Sequence, residues 1–274
     1  AGIDVGEARF TRSYRALVNS ADVDVVSIAT PNHLHADQAV RAADAGKHIL
    51  IEKPTGLDVP ELRRIRDAVG RAGVRTIVSF ELHYNPYLRF VRWLRESGQL
   101  GRLHFARVQY LSRVTDWYSG WSWVRTSRSG RSHLLAAGCH AVDALRWCTG
   151  LEATEVSAYN TRYTRGYQWP TTIAVNVRLR EPGARRDTRA IIGHVTSSTD
   201  FQMPYTFGVE LMGESTTVRD DLLLWNDTPL DRAALQAACP FTDVTLRDHQ
   251  TATGAPAIRI DTVMPGSSDV THHP

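Results

Sequence analysis

The chain of 274 residues is long enough for two hydrophobic cores, because a single core stops growing at roughly 250–300 residues. Its 42% apolar and 22% charged residues are an ordinary globular composition, and no stretch approaches the roughly 20 apolar residues that cross a bilayer. The net charge of +3 comes from scattered arginines, which argues against a nucleic-acid partner, and no secretory leader is recognisable. We therefore expect a soluble cytoplasmic protein of two domains, with no nucleic-acid or membrane partner.

Cysteine and histidine usage gives no sign of a disulfide framework or a metal site. Cys139, Cys148 and Cys239 are an odd number of cysteines without C-x-x-C spacing, which favours free, buried thiols. The eleven histidines contain no H-E-x-x-H pattern. The sequence therefore predicts no metal.

The first third of the chain alternates short apolar runs with helical patterns. Runs rich in β-branched residues predict strands at 23–30, 48–52 and 74–80, and helical spacing predicts helices at 35–45 and 58–72. Asp58 is a suitable N-cap for the second helix, and Gly46 and Gly73 are suitable ends for the two helices. This order predicts an α/β doubly wound domain, whose parallel sheet is buried on both faces.

After Pro86 the pattern changes. A helix is predicted at 87–96 and another at 139–148, among alternating segments at 103–111, 156–163, 172–179, 189–195 and 207–212. Alternation suits a sheet with one covered and one open face. We expect an α+β domain with a large, mainly antiparallel open sheet.

Three motifs carry a family resemblance. They are T-P-N-x-x-H at 30–35, A-G-K-H-I-L-I-E-K-P at 45–54 and L-L-A-A-G-C-H-A-V-D at 134–143. In this order and at this separation they resemble the Gfo/Idh/MocA family of oxidoreductases. The resemblance implies a Rossmann domain followed by an open-sheet domain that forms homodimers or homotetramers. It also implies NAD or NADP as cofactor, with hydride passing between the nicotinamide and a secondary alcohol or ketone of a sugar or polyol.

The phosphate-binding turn of a Rossmann domain is not found in the sequence. Such domains bind the pyrophosphate at a G-x-G-x-x-G turn after the first strand, and no such motif occurs. Set against the family, the chain lacks about 40 initial residues, the size of one strand-helix-strand unit, and the last helices. We therefore expect residues 1–84 to be a partial dinucleotide-binding domain without its first strand and glycine-rich turn. Residues 85–274 are then the domain for substrate binding and oligomerisation.

The resemblance assigns the cofactor site to the first two motifs. Its residues would be Thr30, Pro31, Asn32, His35, Glu52 and Lys53, with Lys53 between nicotinamide and substrate. Ligands of open α/β sheets bind where the strands end, which agrees with this placement. Lysine occurs only at positions 47 and 53, whereas the other thirty basic residues are arginine. Because the proton of an ammonium is tunable and that of a guanidinium is not, this bias favours a functional Lys53. Lys47 is interpreted as structural.

The third motif is predicted to supply the acid–base group. His140 and Asp143 stand three residues apart and share one helix face, and the unperturbed pKa of a histidine, about 6.5, suits exchange of a hydroxyl proton. The common family form is D-x-G-x-H-x-x-D, and Ala136 replaces its first aspartate here. That aspartate would position or polarise the substrate hydroxyl or the histidine. Asp143 or His133 could compensate, and the spacing does not decide between them.

Further substrate contacts are expected from two segments. The resemblance of F-E-L-H-Y-N-P at 80–86 puts His83 and Asn85 at the edge of the substrate pocket. Trp121, Trp123 and Arg125 precede the third motif and would suit a polyol or acidic sugar, although packing is an equal interpretation for the tryptophans.

Two alternatives stay open at the level of the sequence. One is a glycoside hydrolase of the same fold, which holds its NAD and returns the hydride before release. The other is a non-catalytic relative or fragment, which Ala136 favours.

Overall fold

The computed structural model describes residues 8–113, 122–185, 189–202, 204–225, 227–263 and 270–271. The chain divides into two compact units, with the boundary between Ser79 and Phe80. Within the described ranges, no helix has both the length and the apolar character needed to cross a membrane.

Strands and helices alternate in the first unit. Its elements are α1 (Tyr14–Val18), β1 (Val25–Ile28), α2 (His35–Asp44), β2 (His48–Glu52), α3 (Val59–Ala72) and β3 (Thr76–Ser79). The strands form a parallel sheet in the order β1-β2-β3. The predicted alternation is confirmed, with β1 and β3 shorter than their apolar runs.

Helices cover this sheet differently from the prediction. Alternate strand side chains, among them Val26 and Ile49, pack in one cluster with residues of α2 and α3. The side chains between them are exposed, by 58% for Val25, 39% for Leu50 and 60% for Ile77. Successive residues of a strand point to opposite faces, and the described helices cover only one of these faces. Burial on both faces is therefore wrong for the described residues.

Capping signals set the ends of α3. The side chain of Asp58 accepts a hydrogen bond from the backbone nitrogen of Glu61 at 2.9 Å. Gly73 ends the helix at φ 65°, where a residue with a Cβ atom would be strained. Both capping predictions are confirmed, and Asp58 fixes where the loop after β2 ends.

The described residues of the second unit form one ten-stranded sheet. Its helices are α4 (Pro86–Glu96), α5 (His133–Ala136), α6 (Cys139–Thr149) and α7 (Arg232–Ala238). Its strands are β4 (Leu103–Leu111), β5 (Glu152–Thr161), β6 (Thr172–Arg180), β7 (Ile191–Ser198), β8 (Thr206–Gly213), β9 (Thr217–Arg219), β10 (Leu222–Leu224), β11 (Val244–Gln250), β12 (Pro256–Val263) and β13 (Val270–Thr271). The order is β11-β12-β10-β9-β8-β4-β7-β6-β5, with β13 paired to β12. Only the pair β4–β7 is parallel among these described strands, so the mainly antiparallel prediction is confirmed.

The helical layer lies on one face of this sheet. Phe90 and Leu94 of α4 and Leu145 of α6 are buried in one cluster with strand residues such as Val108 and Phe207. The other face carries polar pairs, including Arg107–Glu210 at 3.0 Å and Asn176–His194 at 2.8 Å. One covered and one more polar face agree with the alternating sequence pattern.

None of the three cysteines forms a disulfide bond, and only Cys148 of the three is fully buried. Burial raises the pKa of its thiol to about 12, so it stays protonated at neutral pH and packs as a small apolar side chain. Cys139 and Cys239 are half-buried rather than buried, which corrects the expectation for these two.

Candidate functional site

In the first unit, the predicted cofactor residues follow the carboxyl ends of β1 and β2. Ile28 is paired with Ile51 in the parallel register, so the segments at Thr30 and Glu52 leave the sheet at the same edge. This is the edge at which open α/β sheets bind their ligands. The two motifs are therefore brought together, although 19 residues separate His35 from Pro54.

His35 fastens these two loops to each other. Its ring is fully buried, with Nδ1 2.8 Å from the carbonyl oxygen of Pro54 and Nε2 2.8 Å from that of Thr30. Carbonyl oxygens only accept hydrogen bonds, so a hydrogen bond to either of them needs an N–H of the ring. The structure gives His35 a positioning role for the loops, and direct contact with a cofactor stays a prediction.

The other predicted cofactor residues lie in these two loops or next to them. Thr30 donates from its hydroxyl to the side-chain oxygen of Gln38 at 2.7 Å, and Asn32 is buried. Glu52 and Lys53 are half-buried, and a carboxylate oxygen of Glu52 accepts from the backbone nitrogen of Lys53 at 3.3 Å. Pro31 lies between Thr30 and Asn32 and is half-buried.

The two lysines differ in their contacts. Lys47 donates from Nζ to the carbonyl oxygen of Ser20 at 2.9 Å, which ties the start of β2 to the segment before β1. This contact agrees with a structural role. Lys53 follows the opposite, carboxyl end of β2, and its place between nicotinamide and substrate stays a prediction.

In the second unit, the 3-10 helix Glu81–Tyr84 lies against α6. His83 places Nε2 2.6 Å from a carboxylate oxygen of Asp143. The His83 ring stacks on Trp147 with 4.5 Å between centroids and 8° between planes, and the guanidinium of Arg92 lies over that same tryptophan at 4.9 Å. Asp143 therefore contacts the predicted substrate residue His83, a pairing that the sequence did not indicate.

His140 is 3% exposed and has rings on two sides. Tyr110 of β4 stacks on it with centroids 5.9 Å apart and planes at 14°, and Phe80 meets it edge-on at 5.7 Å. Its Nε2 lies 3.3 Å from a carboxylate oxygen of Glu81, at ion-pair distance when the ring is protonated. Glu81 belongs to the motif F-E-L-H-Y-N-P, which predicts no role for it.

The third motif also has a structural component. His133 is fully buried, with Nδ1 2.7 Å from the hydroxyl of Ser197 and Nε2 3.2 Å from that of Ser112. A Cβ atom at Gly138 would come within 2.1 Å of the Ser197 hydroxyl, so the motif needs glycine there. His133 and Gly138 thus seat the start of α6 on the sheet.

The other predicted substrate residues have packing contacts. Asn85 is buried and caps α4 by accepting from the backbone nitrogen of Leu88 at 3.2 Å. Arg125 places its guanidinium over the ring of Tyr167 at 5.6 Å, and Trp123 is half-buried in the same 3-10 helix, Ser122–Arg125. Substrate contacts for these three stay predictions. Trp121 lies outside the described residues.

Within the described ranges, no three side chains from histidine, cysteine, aspartate and glutamate gather as they would around a metal ion.

Sequence models of one protein family match both units. The model for the oxidoreductase family with an NAD-binding Rossmann fold matches residues 4–80, and the model for the GFO/IDH/MocA C-terminal domain matches residues 88–219. The chain belongs to the Gfo/Idh/MocA family. Its first unit is thus the NAD-binding Rossmann-type part, and the predicted fold class and nicotinamide cofactor are confirmed.

Two members of the Gfo/Idh/MocA family are similar to more than half of the chain. Levoglucosan dehydrogenase of Pseudarthrobacter phenanthrenivorans is 36% identical over 155 residues, which cover 55% of this chain and 38% of that protein. Inositol 2-dehydrogenase 3 of Saccharopolyspora erythraea is 27% identical over 214 residues, covering 77% of this chain and 59% of that protein.

A solved family structure is similar as well. The WlbA dehydrogenase from Bordetella pertussis, in complex with NADH and UDP-GlcNAcA, has a TM-score of 0.70 and 26% identity, with 78% of this chain and 63% of that chain covered. The chain spans less than two thirds of the length of each of these relatives.

Proposed function

We propose that the protein transfers hydride between a nicotinamide dinucleotide and a secondary alcohol or ketone of a sugar, polyol or similar substrate. The observation that supports this most is His140, a buried ring at the start of α6 with a carboxylate 3.3 Å from its Nε2. Buried histidines with a carboxylate partner are well suited to exchange a proton near neutral pH.

Two loops of the first unit support dinucleotide binding there. The carboxyl ends of two parallel strands lie side by side, and His35 holds the loop after β1 and the loop containing Lys53 together. A bound nicotinamide accepts or supplies the hydride, which no side chain can do. The protein therefore contributes binding, orientation and proton exchange.

Two side chains have distinct parts in this proposal. The ammonium of Lys53 donates a hydrogen bond to the reacting oxygen and stabilises negative charge that develops there. His140 takes the hydroxyl proton during oxidation and returns it during reduction. Asp143 acts through His83, whose ring it contacts at 2.6 Å, rather than through His140.

The substrate class follows from the relatives. Their names include an anhydrosugar, a cyclitol and a nucleotide-linked sugar acid. All three carry secondary hydroxyl groups on a six-membered ring, and we propose a substrate of this kind for this chain.

Assembly through the open sheet forms part of the proposal. All ten residues of the edge strand β5 are exposed, including Val156 at 67% and Tyr159 at 82%. Exposed apolar residues on a strand at the edge of a sheet are suited to contacts with another chain. A homodimer or homotetramer is expected in sedimentation experiments, and Tyr159→Arg should weaken it.

The activity is tested first by binding and then by turnover. The purified protein is titrated with NADH and NADPH by fluorescence, and is then assayed with NAD⁺ or NADP⁺ and levoglucosan, myo-inositol or a UDP-linked sugar acid. Saturable dinucleotide binding and reduction of the cofactor with one of these substrates are expected. Absence of dinucleotide binding would contradict the proposal.

Two further outcomes separate the alternatives. Release of the aryl group from an aryl glycoside without added cofactor would instead support transient oxidation during glycoside cleavage. Binding of dinucleotide without turnover of any sugar or cyclitol would support a non-catalytic relative.

A further inference from the structure

Two acid–histidine pairs cross between the 3-10 helix Glu81–Tyr84 and α6. Asp143 of α6 contacts His83 of the 3-10 helix at 2.6 Å, and Glu81 of the 3-10 helix contacts His140 of α6 at 3.3 Å. Each segment thus gives one carboxylate and one imidazole. The arrangement assigns a different carboxylate to each histidine.

These two pairs indicate which residue takes the role of the aspartate that Ala136 replaces. The two candidates from the sequence have other contacts: Asp143 is engaged with His83, and both ring nitrogens of His133 face serine hydroxyls at 2.7 and 3.2 Å. Among the described residues, Glu81 places a carboxylate oxygen at ion-pair distance from Nε2 of His140.

We propose that Glu81 is the positioning residue for His140 and supplies the carboxylate that position 136 lacks. This inference rests on the proposed function. During oxidation the His140 ring would take the hydroxyl proton, as the carbon that carries this hydroxyl loses hydride to a bound nicotinamide. The ring becomes a cation, and an ionised carboxylate 3.3 Å away stabilises that cation.

The side chains of Glu81 and His140 differ in exposure, and this difference favours stabilisation of the charged ring. The side chain of His140 is 2% exposed, whereas that of Glu81 is 62% exposed. Burial disfavours a charged imidazole, whereas the exposed carboxylate keeps its contact with water. The carboxylate thus offsets part of the cost of charging the buried ring.

Neighbouring rings hold the plane of the His140 ring. Tyr110 stacks on His140 and Phe80 packs edge-on against it. Among the described residues, the titratable groups that contact it include Glu81 from the 3-10 helix and Tyr110 from β4, while Asp143 on its own helix contacts His83. Removal of Glu81 should therefore change the titration of the ring without changing its packing.

The first test is an NMR titration, which needs neither cofactor nor turnover. The Cε1–H resonance of His140 is assigned by its loss in His140→Asn, and its midpoint is compared in the native protein, Glu81→Gln, and Glu81→Gln combined with Ala136→Asp. The midpoint should fall by about half a pH unit in Glu81→Gln, since an exposed partner is partly screened. Ala136→Asp should restore it.

The matched control is Glu96→Gln, which removes a carboxylate of similar exposure, 44%, from the adjacent helix α4. It should leave the midpoint unchanged. An unchanged midpoint in Glu81→Gln, or the same fall in Glu96→Gln, would overturn the proposal.

The second test is turnover of the native protein and the same variants. Glu81→Gln should lower kcat about tenfold, a fraction of the roughly 10²–10⁴-fold that a positioned acid–base group contributes, with dinucleotide affinity unchanged. Adding Ala136→Asp should recover most of kcat. An unaltered kcat in an active enzyme would overturn the proposal, whereas an inactive native protein with a shifted midpoint would reject the proposed function and keep the Glu81–His140 pair.

Discussion

The first unit holds its candidate site residues through main-chain oxygens, whereas the second unit holds them through other side chains. His35 bonds to the carbonyl oxygens of Thr30 and Pro54. In the second unit, His83 and His140 contact the carboxylates of Asp143 and Glu81. A carbonyl oxygen is present whatever residue occupies the position, but a carboxylate depends on the side chain.

Because of this difference, we expect the two units to respond differently to amino-acid substitutions. Loop shape in the first unit depends on one histidine, so most neighbouring substitutions leave it intact. The electrostatics of the second unit can be altered by one exposed residue such as Glu81, because the partner is not part of the core. We therefore expect the chemistry of the first unit to vary less than that of the second.

The largest effect is expected for Lys53→Arg, which tests whether the first unit needs a lysine at this position. It keeps the positive charge but replaces a compact ammonium with a larger, planar guanidinium, whose N–H groups cannot donate to the reacting oxygen from the same position. Turnover should fall by about 10²–10⁴-fold, while NADH binding measured by fluorescence should change little. Equal turnover in Lys53→Arg and the native protein would remove Lys53 from the mechanism.

Lys47→Arg is the matched control, since these are the only two lysines of the chain. Lys47 donates one hydrogen bond to the Ser20 carbonyl, which a guanidinium can also make. Its turnover should equal that of the native protein. A loss as large as in Lys53→Arg would show that the effect is a general response to lysine replacement.

The second prediction concerns His35→Leu, which fills the buried space but leaves the carbonyl oxygens of Thr30 and Pro54 without their donor. An unsatisfied buried acceptor costs roughly 1–3 kcal/mol, so the first unit should lose about 3 kcal/mol of its unfolding free energy. All seven tryptophans lie between Trp93 and Trp225, in the second unit, so their fluorescence does not report this loss. Hydrogen exchange of peptides from β1 and β2 does.

His48→Leu serves as the control for that experiment. His48 is exposed, and its Nδ1 accepts from the backbone nitrogen of Arg75 at 3.1 Å, a contact that water can replace. Its exchange should change by less than about 0.5 kcal/mol. If both variants exchange alike, the loops are held by something other than His35.

The same contrast explains how far the sequence could predict the site. In the first unit, the strand ends and the residues they carry lie within short motifs, so β2 was predicted at its observed bounds, His48–Glu52. The pairs in the second unit join distant segments: His83 and Asp143 are 60 residues apart. Their contact depends on how a 3-10 helix meets α6, and helical spacing carries no information on that.

Strand length limited the prediction of the second sheet. Strands β9 and β10 have three residues each, too few for an alternating pattern to show. Strand β11 contains Arg247, Asp248 and His249, which obscure its apolar positions. These strands are formed by pairing with longer neighbours rather than by local preference.

The third prediction has the smallest expected effect. It tests whether the hydrogen bonds to one carboxylate of the second unit stabilise the protein through the negative charge. Asp200 accepts from the hydroxyls of Thr164, Thr171 and Thr172 and from the backbone nitrogen of Thr164, over 2.5–3.1 Å. Burial opposes the charge, but these donors outweigh it and lower the pKa of the carboxyl below its ordinary value. Asp200→Asn should therefore cost about 1 kcal/mol at neutral pH.

The pH dependence of that cost separates charge from shape. A carboxyl whose folded pKa lies below its unfolded value stabilises the protein above the unfolded pKa, about 3.9, and the stability is lost as pH falls through the folded value. In urea unfolding followed by tryptophan fluorescence, the native–variant difference should be constant from about pH 7 to 5 and shrink below about pH 4. Asp248→Asn, at an 83% exposed side chain, should show little difference at any pH. A difference for Asp200→Asn that persists unchanged into acid would mean that hydroxyl geometry, and not charge, holds these strand ends.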